Sequence, residues 1–327
     1  MVRTPRVSFE HESVLVDEVV QYLSPRPGKT YCDGTAGGGG HLAAVLGHDG
    51  TQAIGIDRDP AAIQAAGIRL KPFGDRIRLV QGQFSEMPRI LAELGIPRVD
   101  GIVLDLGVSS PQLDHADRGF SFIKDGPLDM RMDPSRGRTA LELIQELDAD
   151  ELGEVIKELG EERHARRIAR LIKEAVDAGR VRRTTELAQV IASGIPMAEQ
   201  RQSKIHPATR TFQALRIAVN QELEELETFL SAFPDLLAPG GRCVVISFHS
   251  LEDRLVKNAF RDLTWTTSLP PKLARDAGER VEPVVELLTK KPVTAGDAEL
   301  ARNPRSRSAK LRACERTAAP NVPAERA

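Results

Sequence analysis

Apolar positions along the chain alternate between short runs that end in an acid and longer stretches at helical spacing. Val14 to Leu23 has the helical rhythm and stops at Ser24-Pro25-Arg26-Pro27-Gly28, a natural helix terminator. Tyr31-Cys32-Asp33 then reads as a strand running directly into the glycines Gly37 to Gly40, with a helix expected from His41 to Leu46. Gln52 to Asp57 is a second strand. Asp59-Pro60 opens an alanine-rich helix to about Leu70, Asp59 serving as N-cap and Pro60 at the first helical position. Arg76 to Gln81 alternates as a third strand, Ser85 to Leu94 is a third helix of this series, and Val99 to Leu106 is a fourth strand carrying Asp105. Strands and helices taking turns at this spacing predict a parallel sheet covered on both faces.

From about Asp114 to Thr209 the strand rhythm is lost. A loop rich in Asp, Gly, Pro and Arg (Asp114 to Arg138) precedes helical patterns at Ala140 to Leu147, Leu152 to Leu159, Glu162 to Ala178 and Thr185 to Ser193. One long amphipathic helix, Phe212 to Leu237, follows, closed by Pro239-Gly240-Gly241. Arg242 to Phe248 is a buried strand, Leu251 to Leu263 a helix, and Val284 to Leu288 and Lys310 to Cys314 are two more strands. The expectation is a seven-stranded, mostly parallel sheet with an inserted all-helical domain. Residues 1–113 and 212–316 form the sheet domain, 114–211 the insertion, and 317–327 an Ala/Pro/Glu tail read as disordered.

Charge adds a restriction. With a formal net charge of −2, the whole molecule does not attract polyanions, so any nucleic-acid binding must come from local patches. Arg163, Arg166, Arg167 and Arg170 fall on one helix face. Glu158, Glu161 and Glu162 precede them, so a salt-bridged surface competes with a phosphate-binding one. Lys204 to Phe212 and Arg302 to Lys310 read as phosphate contacts. Cys32, Cys243 and Cys314 lie far apart without metal or redox spacing and read as buried thiols of a reducing cytoplasm. Met1 to Glu12 lacks the apolar core of a signal peptide, and no window has the ~20 apolar residues of a membrane span. Asp114, Asp117, Asp125, Asp129 and Asp133 lack calcium-loop spacing and read as solvated loop acids, so no metal is expected.

The chemistry concentrates at the carboxyl ends of the strands. Gly37-Gly38-Gly39-Gly40-His41-Leu42 lacks the third glycine of a dinucleotide fingerprint. Asp33-x-x-x-Gly37-x-Gly39 is instead similar to the first motif of class I methyltransferases, in which the acid faces the cationic end of S-adenosylmethionine. Thr35 departs from that motif, which often has another glycine there. Asp57, 24 positions after Asp33, can accept both ribose hydroxyls. Phe84 reads equally as a cover for the adenine face or as core. Asp105 sits beside Asp33, where an acceptor can draw an exocyclic amine toward tetrahedral geometry. Amino-methyltransferases usually follow such an acid with two prolines and an aromatic; here only the acid is kept, leaving Phe120 or Phe122 as candidates to stack on a base. No cysteine nucleophile lies near this loop, which excludes a cytosine C5 mechanism. His249 precedes Ser250 and Asp253, which read as a helix capping box.

These pieces together resemble the bacterial ribosomal RNA small subunit methyltransferase H family, also called MraW, a class I Rossmann-like family. The resemblance rests on His11 to Leu15, Asp33-Gly34-Thr35 with Gly39-Gly40-His41, Ile56 to Pro60, Asp105 to Gln112, Arg118 to Phe122, Met130 to Asp133, His206 to Arg210 and Ser247 to Asp253. It implies N4-methylation of cytosine 1402 of 16S rRNA with S-adenosylmethionine, in the cytoplasm, with the small ribosomal subunit as partner. It also implies cofactor contacts by Gly39, Gly40, His41, Asp57, Phe84, Asp105 and Gln112, with Asp105 the first choice for catalysis. A homodimer is compatible with the sequence, which does not fix the oligomeric state. The competing readings are a nicotinamide-dependent oxidoreductase, disfavoured by the glycine spacing, and a ribosome-assembly factor that binds RNA without catalysis.

Overall fold

The computed structural model describes residues 13–264 and 282–321. His11 and Glu12 of the family pattern lie outside them. Among the described residues no helix is long and apolar enough to cross a membrane. The chain separates into two compact units. Residues up to Gly107 and from Glu224 onward form the first, and Val108–Leu223 form the second.

The first unit holds one seven-stranded sheet in the order β3-β2-β1-β4-β5-β7-β6. Helix α1 (Val16–Leu23) leads to β1 (Thr30–Asp33), α2 (Gly40–Leu46), β2 (Gln52–Asp57), α3 (Pro60–Leu70), β3 (Ile77–Gln81), α4 (Met87–Glu93) and β4 (Val99–Asp105). Strands β1 to β5 pair in parallel, while β7 pairs antiparallel with both β5 and β6. Both faces are covered, so successive residues of one strand enter different cores. Cys32, Leu104 and Val245 join Met87, Phe229 and Phe260, whereas Tyr31, Val103 and Val244 join Val19 and Leu23 of α1. That is why these strands read as continuous apolar runs rather than alternating ones. The three cysteines are buried and unbridged, and burial pushes the Cys32 and Cys243 thiols well above their ordinary range.

The second unit contains α5 (Ser110–Asp114), α6 (Ala140–Glu146), α7 (Ala149–Gly160), α8 (Ala165–Asp177), α9 (Thr184–Ser193), α10 (Met197–Gln202) and α11 (Thr209–Asn220). Its core gathers Leu152, Ile156, Ile168, Ile172, Phe212 and Leu215. The helix expected as one piece from Phe212 to Leu237 is two, α11 and α12 (Glu222–Leu236), separated by Gln221 at φ 51°. The break has a cause in Asn220, which is buried. Its amide donates to the carbonyls of Met130 (2.8 Å) and Arg216 (2.9 Å) and its carbonyl accepts from Met132 N–H (2.7 Å). Arg216 then grips Glu222 through two hydrogen bonds across the interruption.

After α12 come β5 (Leu237–Ser247), α13 (Ser250–Asp262), β6 (Val285–Leu287), α14 (Asp297–Arg302) and β7 (Lys310–Arg316). The tail expected to be disordered is anchored where it starts. Thr317 N–H donates to Val284 O (3.0 Å), and the Asn321 amide donates to Asp235 (2.9 Å). Residues 322–327 lie outside the described ones. Phe229 is fully buried, with Phe233 at 5.8 Å and Phe84 edge-on at 6.1 Å between ring centroids. Phe229→Ala is expected to cost about 3–5 kcal/mol in urea unfolding, the usual effect of a large core truncation; a loss under about 1 kcal/mol would show that this face repacks freely.

Candidate active site

The strand order places β1 and β4 side by side where the direction of winding reverses, the position at which open α/β sheets form a crevice beyond the carboxyl ends of their strands. Each of these strands ends in an aspartate. Asp33 is 1% exposed. Its Oδ1 accepts from Thr35 N–H (2.9 Å) and from the Thr35 hydroxyl (3.1 Å). The Thr35 hydroxyl in turn accepts from Asp105 N–H at 2.7 Å. A main-chain N–H can only donate, so the hydroxyl hydrogen is committed to Asp33. The other oxygen of Asp33, Oδ2, and Oδ1 of Asp105 are buried with no hydrogen-bond partner among the described residues.

The glycine loop shapes the rest. Gly39 caps α2 at φ 78°, a conformation costly for any residue with a Cβ. At Gly40 a Cβ would lie 1.8 Å from the Ser13 hydroxyl oxygen, so this close approach of two segments also requires glycine. Gly37 N–H donates to Asp57 Oδ2 (2.8 Å), while Asp57 Oδ1 accepts from Asp59 N–H (2.9 Å). Asp57 thus fixes the loop and the start of α3 together. His41 is buried, its Nε2 donating to Val14 O at 2.8 Å, with Nδ1 at 4.0 Å from Asp105 Oδ2. Since a carbonyl can only accept, Nε2 carries a proton and Nδ1 is the atom left toward Asp105. Phe84 is buried against Phe229.

Burial dominates the electrostatics. It pushes Asp33 up to about 7, against the downward pull of both Thr35 hydrogen bonds. It raises Asp105 to about 7 as well; His41 opposes the shift, while Asp33, Glu252 and Glu299 add to it. Asp57 rises to about 6 through burial, partly offset by the N–H groups of Asp59 and Gly37. Three acids poised near neutrality in one crevice mark a functional site on physical grounds. A buried acceptor without a donor costs about 1–3 kcal/mol, which a cation bearing N–H groups would relieve. The amino acid end of S-adenosylmethionine fits that requirement.

His249 is the N-cap of α13, with Glu252 rather than Asp253 closing the capping box. Glu252 is buried and accepts from Phe248 N–H (2.8 Å). Asp253 is turned to Arg312 (2.7 Å) and Lys310 (3.5 Å), which is why it is unavailable as the cap partner. Gln112 lies in the second unit, where its side-chain carbonyl accepts from Ser109 N–H at 2.9 Å.

In the second unit Phe120 is buried in the core, under the Arg118 guanidinium, whereas Phe122 stacks on His206 with 4.5 Å between ring centroids. Asp125 pairs with Arg183, and Asp129 with Arg131 at 2.7 Å. The arginines at positions 163, 166, 167 and 170 are all exposed, and among the described residues their side chains have no ion-pair partner. The glutamates that would have neutralised them are engaged elsewhere: Glu158 with Lys157 (2.7 Å), and Glu162 with His164 N–H (2.9 Å). A cavity of about 280 Å³ opens beside this face, lined in part by Arg163, His164, Glu199, His206 and Arg210. The site residue that sequence reading passes over is Thr35, treated only as a departure from glycine. The signal was present: an aspartate two residues before a hydroxyl residue favours a turn in which its carboxylate accepts the later N–H.

The profile of the MraW methylase family matches residues 8–317. The ribosomal RNA small subunit methyltransferase H of Geobacter sulfurreducens is 54% identical over 313 residues, covering 95% of this chain and all of the relative. That of Sorangium cellulosum is 52% identical over 308 residues, covering 94% of this chain and 91% of the relative. Among solved structures, an rRNA methylase from Streptococcus thermophilus matches 97% of this chain and 99% of its own at 9% identity and a TM-score of 0.39, too distant to bear on the site.

The buried acids set a pH dependence. Asp33 binds its proton more tightly folded (about 7) than unfolded (3.8), so its contribution to stability is full below pH ~4 and is lost as pH rises toward 7. In unfolding titrations of the ligand-free protein, Asp33→Asn should flatten the decline over that window; an unchanged slope would show that Asp33 ionises freely.

Proposed function

Since the chain belongs to the MraW methylase family, we propose that it is an S-adenosylmethionine-dependent methyltransferase of small subunit ribosomal RNA, working in the cytoplasm, whose product is N4-methylcytosine at position 1402 of 16S rRNA. The observation that carries the chemistry is the pair of unanswered carboxylate oxygens, Asp33 Oδ2 and Asp105 Oδ1, at adjoining strand ends. Asp33 answers the cationic end of the cofactor and Asp57 its ribose. Gly39 and Gly40 allow close approach of the main chain, His41 buttresses the crevice, and Phe84 borders it. When bound, S-adenosylmethionine supplies an electrophilic methyl group on a sulfonium, open to direct displacement by a positioned amine.

The amine of cytosine is a poor nucleophile because its lone pair is delocalised into the ring. Asp105 answers this by accepting an N–H of that amine, which favours the tetrahedral form, and by taking the proton that the nitrogen sheds once methylated. A carboxyl held near neutrality suits both roles. No residue of the chain bonds covalently to the base in this scheme.

The second unit is proposed as the RNA-recognition element. The exposed arginines of α8 and of the turn before it, without ion-pair partners among the described residues, support this reading, since such a ladder of cations suits phosphates. The decisive experiment incubates the protein with labelled S-adenosylmethionine and small subunits from cells lacking this methylation, then maps the modified nucleotide. Label at another position, or calorimetric binding of a nicotinamide cofactor instead, would refute the assignment. Asp105→Asn should lower the rate of methyl transfer by about 10²–10⁴ while RNA affinity holds, separating catalysis from mere assembly-factor binding. Replacing Arg166, Arg167 or Arg170 by Ala should weaken RNA binding at every sequence, and should reduce the slope of log affinity against log salt by about 1 for each phosphate contact removed.

A further inference from the structure

Thr35 reaches both strand ends with a single side chain. Its hydroxyl accepts from Asp105 N–H (2.7 Å) and donates to Asp33 Oδ1 (3.1 Å), and its own N–H adds a second bond to the same oxygen (2.9 Å). Glycine, which the general methyltransferase motif often places here, would supply only the last of these. We propose that Thr35 is a positioning residue for methyl transfer: it locks the cofactor carboxylate of Asp33 and the main chain of Asp105 into one hydrogen-bonded unit. This rests on the functional reading in assigning Asp33 to the cofactor and Asp105 to the amine.

The direction of the hydrogen bonds gives the unit its chemistry. Because Oδ1 of Asp33 receives two donors, the free valence of the carboxylate is Oδ2, the buried oxygen without a partner. Thr35 therefore chooses which oxygen faces the ligand. It also favours the ionised form of Asp33, the form that a cationic group requires. The charged neighbours that act against ionisation come from several elements. Asp33 faces Asp57 of β2 and Asp105 of β4, and Asp105 faces His41 of α2, Glu252 of α13 and Glu299 of α14. Only His41 in this group can carry positive charge, so the neutral donors of residue 35 hold the balance at Asp33.

The test reads the ligand-free protein first. With aspartate labelled by carbon-13 at the side-chain carboxyl, nuclear magnetic resonance should show the Asp33 titration in Thr35→Val moved upward by about one pH unit, the effect of losing one hydrogen bond to a charged group. Thr35→Ser should return it to the wild-type position. Calorimetry should show Thr35→Val binding S-adenosylmethionine about tenfold more weakly at pH 7 and recovering as the pH is raised, with Thr35→Ser again close to wild type. An unmoved Asp33 titration in folded Thr35→Val, or Thr35→Ser as impaired as Thr35→Val, overturns the proposal.

If Thr35→Val does not fold, Asp105→Asn protein retains Thr35 and removes the neighbouring carboxyl's own titration. In it the amide resonance of residue 105 should shift with the Asp33 midpoint, since the Thr35 hydroxyl joins that amide to the Asp33 carboxylate. An amide insensitive to that midpoint overturns the proposal just as firmly. The magnetic-resonance titrations use neither RNA nor cofactor, so their outcome is separate from that of the methylation-mapping experiment, and either reading can fail alone.

Discussion

Two carboxylates removed from water at neighbouring strand ends are costly unless hydrogen bonds or a cation offset the loss. The first unit is organised around that constraint. Asp33 and Asp105 are brought together because β1 and β4 are adjacent, and they are adjacent because the chain winds outward from β1 in one direction and from β4 in the other. The protein answers one oxygen of Asp33 with Thr35 and approaches one oxygen of Asp105 with His41 at 4.0 Å. One oxygen of each is left unanswered among the described residues, so the fold keeps two buried acceptors at the mouth of the crevice.

The sheet was legible because its strands are buried on both faces. Continuous apolar runs such as Cys243 to Ile246 suit strands buried on both faces, and the acids at the ends of Tyr31 to Asp33, Gln52 to Asp57 and Val99 to Asp105 report where the crevice opens. Asp33, Asp57 and Asp105 could be assigned to strand ends for that reason. The Thr35 bridge was not legible, since it joins positions 70 apart through a hydroxyl whose partner is a main-chain N–H, which no side-chain pattern records. The His41 contact to Val14 is hidden for the same reason. Helix boundaries failed where a buried side chain outweighed periodicity: Asn220 satisfies three main-chain groups at the cost of one helical register, and amphipathic spacing on either side of it gives no warning.

The second unit shows a different balance between pattern and outcome. The arginines of α8 stood at spacing that fits a salt-bridged face as well as a phosphate-binding one. Which applies depends on where the preceding glutamates turn, a matter of local hydrogen bonding. Glu162 turns to the main chain at His164, the N-cap residue of α8. Starting the helix thus takes the carboxylate away from the arginines, and local folding leaves the charge uncompensated.

Val14 and Leu15, near the start of the described residues, are tied to groups around the crevice. Val14 holds His41 against the crevice, and Leu15 N–H donates at 2.8 Å to Glu299, an acid that also bears on Asp105. The last strand, β7, then pairs with β5, so residues from near both ends of the described chain complete the surroundings of the same crevice. A nascent chain emerging from the ribosome therefore carries Asp33 and Asp105 long before their surroundings exist. Completing the surroundings of the crevice therefore needs contacts between distant parts of the sequence, a long-range closure of the kind that slows folding.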